Sequence, residues 1–166
     1  VKVTVVIPNY NGINYIREIE KYYGEIGPDP LLSAMYDRSV ETGVDVFEGG
    51  SRYNNTSYYF YFLASLVDSV CVVKKLVFEE KRITFSELCG ILKNNWEGNE
   101  KLRLVAKNIP EKYGNNNAIA DEITKDITDY CASLVNNKSN SRGGVFKASL
   151  FSIDRFVEYG SKTMAT

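Results

Sequence analysis

Histidine is absent from the sequence, and cysteine occurs three times, as Cys71, Cys89 and Cys131. Histidine is the commonest ligand of transition metals and the side chain that changes charge near neutrality. Without it, and without a Cys-x-x-Cys pair, the chain offers no ligand set for a zinc or iron–sulfur site. The three cysteines are far apart and each lies in an apolar helical context. An odd number of them, with no signal peptide in view, argues against a disulfide framework. They are expected to be buried free thiols, and the chain is expected in a reducing cytoplasm. No segment has the length and purity of a signal peptide or membrane anchor. Neither sign of charge dominates: 20 basic against 21 acidic residues leave a net charge of −1. Nothing there suggests a polyanionic partner such as nucleic acid.

What is present is a globular composition, 44% hydrophobic and 25% charged, with length enough for one ordinary domain. The 12 tyrosines and 8 phenylalanines are many for this length. A full core would use them well, whereas an isolated piece would leave part of them exposed, and large exposed apolar patches mark missing partners.

The stretch Glu48 to Leu88 organises the rest. A glycine pair and a Tyr-Asn turn come first, GGSRYN, Gly49 to Asn54. A nearly unbroken apolar run follows from Tyr58 to Phe78. A charged stop, EEKR, and the capping-box pattern TFSE then close it: Thr84 can accept from the third amide of the next helix, and Glu87 can reach back. A helix apolar nearly all round is a core helix or a membrane span. Asp68, Lys74 and Lys75 are costly in hydrocarbon, so the run is expected as a core helix. Its aromatic beginning, Tyr58 to Phe62, reads equally well as a strand.

Elsewhere Val1 to Ile7 is a β-branched run before the turn residues Pro8 to Gly12, a strand and a tight turn. Asn14 to Tyr23 has helical spacing. Asp29-Pro30 is a good helix start, with Asp as N-cap and Pro at the first helical position. That helix should present Leu31, Leu32, Met35, Tyr36 and Val40 and stop at Gly43. Phe85 to Trp96 is amphipathic, Asn99 to Lys107 is a short helix, and Tyr113 to Asn117 is a loop. Ala118 to Leu134 is the cleanest amphipathic helix. Asn136 to Gly144 reads as a polar surface loop, and Val145 to Ile153 as a strand. Asp45, Glu48 and Asp68 read as capping or solvated carboxylates. The fold class is α/β, mostly helical, with two predicted strands at 1–7 and 146–153. They need each other or strands from elsewhere, because a lone strand leaves backbone groups unpaired.

GG-x-x-YN followed by an apolar helix ending KKLVFEEKRITFSEL resembles the glycyl radical enzymes, the superfamily of pyruvate formate-lyase and the radical dehydratases. EKYGNNN, Glu111 to Asn117, with Asp121, is similar to the family's "KYGND…VD" segment. SRGGVFKASLFSI, Ser141 to Ile153, then VEYGSKTMAT resembles its "RGG…PSLFSV…PxGxxxxAT" segment. The likeness covers residues 27–166 and leaves residues 1–26 as an N-terminal strand, turn and helix whose origin it does not assign. It implies a fragment of a large α/β barrel, with Phe146 to Ile153 as one barrel strand. Radical cleavage of a C–C, C–O or C–N bond belongs to the full-length family. There a stored glycyl radical, installed by a radical S-adenosylmethionine activase, generates a thiyl radical on a cysteine. This chain's cysteines read VCVV, LCGI and YCAS, unlike the family's GCxE or Cys-Cys loops, and no RVxGY occurs. The resemblance therefore implies no catalytic, cofactor or metal residue here, and inactivity of the chain alone. Its implied partners are the remaining barrel segments and the activase.

Pocket-wall candidates carry over as Gly49, Gly50, Tyr53, Asn54, Ser149 and Phe151. The glycines suit a backbone conformation or close approach that excludes Cβ, with Tyr53 and Asn54 fixing the turn by side-chain hydrogen bonds. Alternation on the strand would put Ser149 and Phe151 on one face and Ser152 on the other. After GGSRYN the family continues with small residues, whereas this chain has NNTSYYFYF. A second resemblance covers VTVVIPNYNG, Val3 to Gly12, which is similar to the opening strand and loop of family 2 glycosyltransferases, although their Asp-x-Asp is missing. A non-catalytic helical interaction module is the remaining alternative.

Overall fold

The structure is a computed structural model that describes residues 12–151 together with Glu158 and Ser161. The predicted strand at 1–7 and the end of the predicted strand at 146–153 lie outside the described residues. The chain forms two compact units. One is built from residues 12–58 and 132–149, the other from residues 59–131 with Leu150 and Phe151.

Short helices open the first unit: α1 (Gly12–Glu20), α2 (Tyr23–Ile26), α3 (Pro30–Ser33) and α4 (Asp37–Thr42), then a 3-10 turn at Val46–Glu48. α1 ends before Tyr22 and Tyr23, which fall in the next turn and α2. The single helix expected from Asp29 to Gly43 is two. Its start is as read: Asp29 accepts from the Leu32 amide at 2.8 Å with Pro30 at the first helical position. Asp45 grips α3 from outside it. Its carboxylate accepts from Ser33 Oγ at 2.8 Å and from the Asp29 amide at 2.9 Å, and Ser33 Oγ accepts from the Val46 amide. That long-range clasp holds both ends of α3, and the backbone turns extended at Tyr36, at φ −112° and ψ 116°, before α4 begins. The apolar face expected there is not buried: Leu31 is 74% and Met35 72% exposed.

The run Tyr58 to Phe78 is not one helix. Its aromatic start forms β1 (Thr56–Phe60), and α5 (Leu63–Val73) begins after Phe62, whose φ of 65° breaks the backbone direction. Aromatic side chains suit a paired, half-buried strand, and the pairing partner comes from β2 (Phe146–Leu150), far along the chain. The Thr56 amide donates to the Val145 carbonyl at one end and the Phe151 amide to the Phe60 carbonyl at the other. The register rises together, so the pair is parallel. Parallel strands need a long crossover, and here it is helical.

That crossover carries the second unit's core. α5 widens into a π-helical turn at Lys74–Glu79, closed by the Glu80 amide on the Lys75 carbonyl at 2.8 Å. α6 (Phe85–Lys93), α7 (Glu100–Lys107) and α8 (Ala118–Val135) follow. Val67, Cys71, Leu76, Leu88, Trp96, Ala106, Ile109 and Ala120 are buried against one another. α6 and α8 each start on a side-chain cap. Thr84 and Glu87 make the reciprocal capping box, and Asn117 Oδ1 accepts from the amides of Ile119 and Ala120. Lys75 Nζ donates to both carboxylate oxygens of Glu111, at 2.7 and 2.8 Å. The Lys75 ammonium, bonded to it, holds the Glu111 carboxyl below the ordinary value.

Candidate functional site

Two turns meet in the first unit. The first is the glycine motif. Asp45 caps the 3-10 turn through the Phe47 amide at 2.8 Å, and that bond holds the Asp45 carboxyl below its ordinary value. Gly49 ends the turn at φ +100°, a region open to glycine. A Cβ on it would stand 2.7 Å from the Arg142 carbonyl oxygen. At Gly50 a Cβ would lie 2.1 Å from the Val44 carbonyl oxygen. Both glycines are therefore required by close backbone approach. Asn54 closes the turn as expected, its Nδ2 donating to the carbonyls of Gly49 and Ser51, each at 2.9 Å. Tyr53 does not: it is 81% exposed, because the turn points its ring outward.

The second turn is SRGG. It lies at the surface as expected, with Ser141 and Gly143 exposed and Arg142 and Gly144 half-buried, yet it is tied to distant residues by hydrogen bonds. Asn140 organises it. Its Oδ1 accepts from the Gly144 amide at 2.7 Å and the Arg142 amide at 3.1 Å, and its own amide donates to the Gly144 carbonyl. Asn140 Nδ2 donates to the Asn54 carbonyl and to Thr56 Oγ1. The two turns thus hold each other by backbone contact and by one asparagine side chain. Between them lies a shallow polar groove of about 500 Å³, lined by Arg52, Tyr53, Asn55, Asn140 and Gly143 among others. Polar loop composition conceals such a network, since the sequence does not show that a surface loop is bonded to distant residues.

Glu20 is the charged residue that sequence reasoning missed. It sits on α1 at 2% exposure. It accepts from the Thr56 hydroxyl, from Ser141 Oγ at 3.1 Å and from the Ser141 amide at 3.4 Å, with Arg142 Nη2 3.8 Å away. Nothing in the spacing of α1 distinguishes it from Glu18, whose side chain is exposed.

Of the strand candidates, Ser149 is half-buried on β2. Phe151 follows the strand in an aromatic cluster, with ring centroids 5.3 Å from Tyr59 and 5.8 Å from Tyr61 in edge-to-face arrangement. The cluster lies at the carboxyl ends of β1 and β2, where ligands bind in open parallel sheets.

The thiols are free. Burial pushes the Cys71 thiol up, helped by the Asp68 and Glu111 carboxylates, and burial raises Cys131 as well. Cys71 and Cys131 lie within α5 and α8 and Cys89 within α6. Asp68 is structural, accepting from the Tyr113 amide at 2.8 Å. Among the described residues no three His, Cys, Asp or Glu side chains gather as a metal site, and no helix is long and apolar enough to cross a membrane.

The sequence matches the pyruvate formate lyase-like family over residues 11–160. It is 33% identical over 149 residues to the (2S)-3-sulfopropanediol dehydratase of Klebsiella oxytoca, which covers 89% of this chain and 18% of that protein. It is 45% identical over 100 residues to the isethionate sulfite-lyase of Nitratidesulfovibrio vulgaris, 59% of this chain and 12% of the relative. The fold superposes on the glycerol-bound B12-independent glycerol dehydratase from Clostridium butyricum with a TM-score of 0.77 at 34% identity, covering 90% of this chain and 19% of that one. The chain thus spans less than a fifth of the length of these relatives. The glycosyltransferase likeness of the opening residues finds no support in these matches. With the glycine turn, the SRGG turn and the parallel strand pair all falling inside the matched region, the chain belongs to the pyruvate formate lyase-like family of glycyl radical enzymes.

Proposed function

We propose that this chain is a framework segment of a glycyl radical eliminase, which removes a leaving group from a small organic substrate. The observation that carries the reading is the mutual seating of the two family turns. Gly49 takes the Arg142 carbonyl and Gly144 takes the Asn54 carbonyl, each at a distance no Cβ would permit. The elimination class follows the similar proteins, which are named as dehydratases and a sulfite-lyase.

In this reading the segment holds and shapes, and other segments carry the radical. A thiyl cysteine must be reachable by substrate, whereas Cys71 is buried and its thiol is raised. The glycyl radical, installed by a radical S-adenosylmethionine activase, would reside outside residues 12–151. The tyrosines at 59 and 61 with Phe151 would form an aromatic wall of the substrate cavity. The exposed apolar side chains of Leu31, Met35 and Val40 would be covered by the remaining barrel segments, since apolar area of that kind marks an interface.

The coding sequence on either side of the chain tests this directly. An in-frame upstream GCxE or Cys-Cys loop and a downstream RVxGY are expected. Anaerobic activation of the full-length product should then give a glycyl-radical doublet in the electron paramagnetic resonance spectrum. Stop codons closing the frame on both sides would overturn the enzyme reading in favour of a binding module.

A further inference from the structure

We infer that Glu20 is the positioning residue of the two-turn lock, although it belongs to neither turn. A buried carboxylate is unfavourable unless its oxygens are bonded and its charge is matched. Glu20 has both. The hydroxyls of Thr56 and Ser141 and the Ser141 amide bond its oxygens, and the Arg142 guanidinium stands 3.8 Å away. The bonds to Ser141 run across 121 residues of sequence, and the bond to Thr56 across 36.

What Glu20 fixes is where the lock closes. Thr56 is the first residue of β1, and its amide makes the first bond to the second turn, on Val145. Its hydroxyl donates to Glu20 and accepts from Asn140 Nδ2 at 2.9 Å and Arg142 Nη2 at 3.1 Å. Ser141 and Arg142 are the residues just before the glycine pair of SRGG. The Arg142 carbonyl is the one seated against Gly49. With Ser141 held at side chain and amide, and Arg142 held at its guanidinium, the peptide between Arg142 and Gly143 has one place to be. Among the described residues Glu20 is the ion-pair partner of Arg142. Neither turn supplies that countercharge itself. The role does not depend on the chain's serving a radical enzyme.

Amide hydrogen exchange on the 166-residue chain, resolved residue by residue, separates this role from a general contribution to stability. Glu20→Ala removes acceptor and charge. Glu20→Gln keeps the shape and an acceptor oxygen and removes the charge. In the alanine variant the amides of Thr56, Arg142 and Gly144 are expected to exchange about tenfold faster or more, with the amides of α6 and α7 unchanged. The glutamine variant should fall between alanine and wild type at the same three amides. Thr56→Ser, which keeps the hydroxyl, should leave them at wild-type rates, and Thr56→Val should not. Wild-type protection at these amides in both Glu20 variants would overturn the assignment. Equal acceleration in α6 and α7 would overturn it too, since Glu20 would then act only on overall stability. If Glu20→Ala does not fold, the glutamine variant and the Thr56 pair decide by the same readings.

Discussion

Gly144 and Asn54 meet backbone to backbone: a Cβ on Gly144 would stand 2.2 Å from the Asn54 carbonyl oxygen and 3.1 Å from the Asn55 amide nitrogen. Neither atom can give way by a rotamer change, because both are main chain. Gly144→Ala is therefore expected to cost about 3 kcal/mol, the upper end of what overpacking does, and Gly50→Ala a similar amount. Gly90, inside α6, has nothing within 4 Å of its Cβ position, so Gly90→Ala should stabilise by about 0.5–1 kcal/mol. Urea unfolding of the three variants checks the opposite signs.

The capping box of α6 gives a second test. Thr84 accepts from the Glu87 amide at 3.2 Å, and the Thr84 amide donates back to the Glu87 carboxylate at 2.7 Å. Thr84→Ala should lower stability by about 1 kcal/mol, the usual worth of an N-cap, whereas Thr84→Ser should be close to neutral. The single tryptophan, Trp96, is buried in the same unit. Its fluorescence during denaturation reads the effect where it arises.

Acid should weaken the second unit through Glu111. Its carboxyl lies below the ordinary 4.5 because Lys75 is bonded to it. A group whose folded value is depressed contributes stability that is fully present above the unfolded value and is lost as pH falls through the folded one. Unfolding midpoints should thus hold above about pH 5 and decline below the ordinary carboxyl range. Lys75→Met should flatten that decline. An unchanged acid limb in this variant would show that Lys75 does not set the Glu111 carboxyl.

Thiol reactivity should follow burial. Cys71 is buried and its thiol raised, while Cys89 and Cys131 are half-buried. With a disulfide exchange reagent under native conditions, Cys71 should react last, at a rate that tracks unfolding rather than reagent concentration. Its reacting first would contradict the placement of α5 in the core.

Local signals were read where the physics is local. The capping box at Thr84, the start at Asp29-Pro30, the stop at Gly43 and the helix over Ala118–Val135 all depend on residues within a turn or two of each other. The glycine pair was legible as a place that excludes Cβ, and Asn54 as the residue closing it. The break between β1 and α5 was not legible. An aromatic run of that length suits a strand or a helix, and the strand that decides it lies far along the sequence. The split of the helix after Asp29 was hidden for the same reason, since Asp45 clasps Ser33 from outside the helix.

The sequence by itself determined the family, the helical punctuation and the positions where only glycine fits, because motif spacing and turn chemistry are written along the chain. Tertiary structure alone decided that the surface turn SRGG is bonded to Glu20 and Thr56. It alone decided that Tyr53 faces solvent and that Glu20, rather than Glu18, is the buried acid. A carboxylate becomes a hub only when chain folding brings it hydroxyls, an amide and a guanidinium from residues up to 121 positions away. No local pattern encodes that meeting.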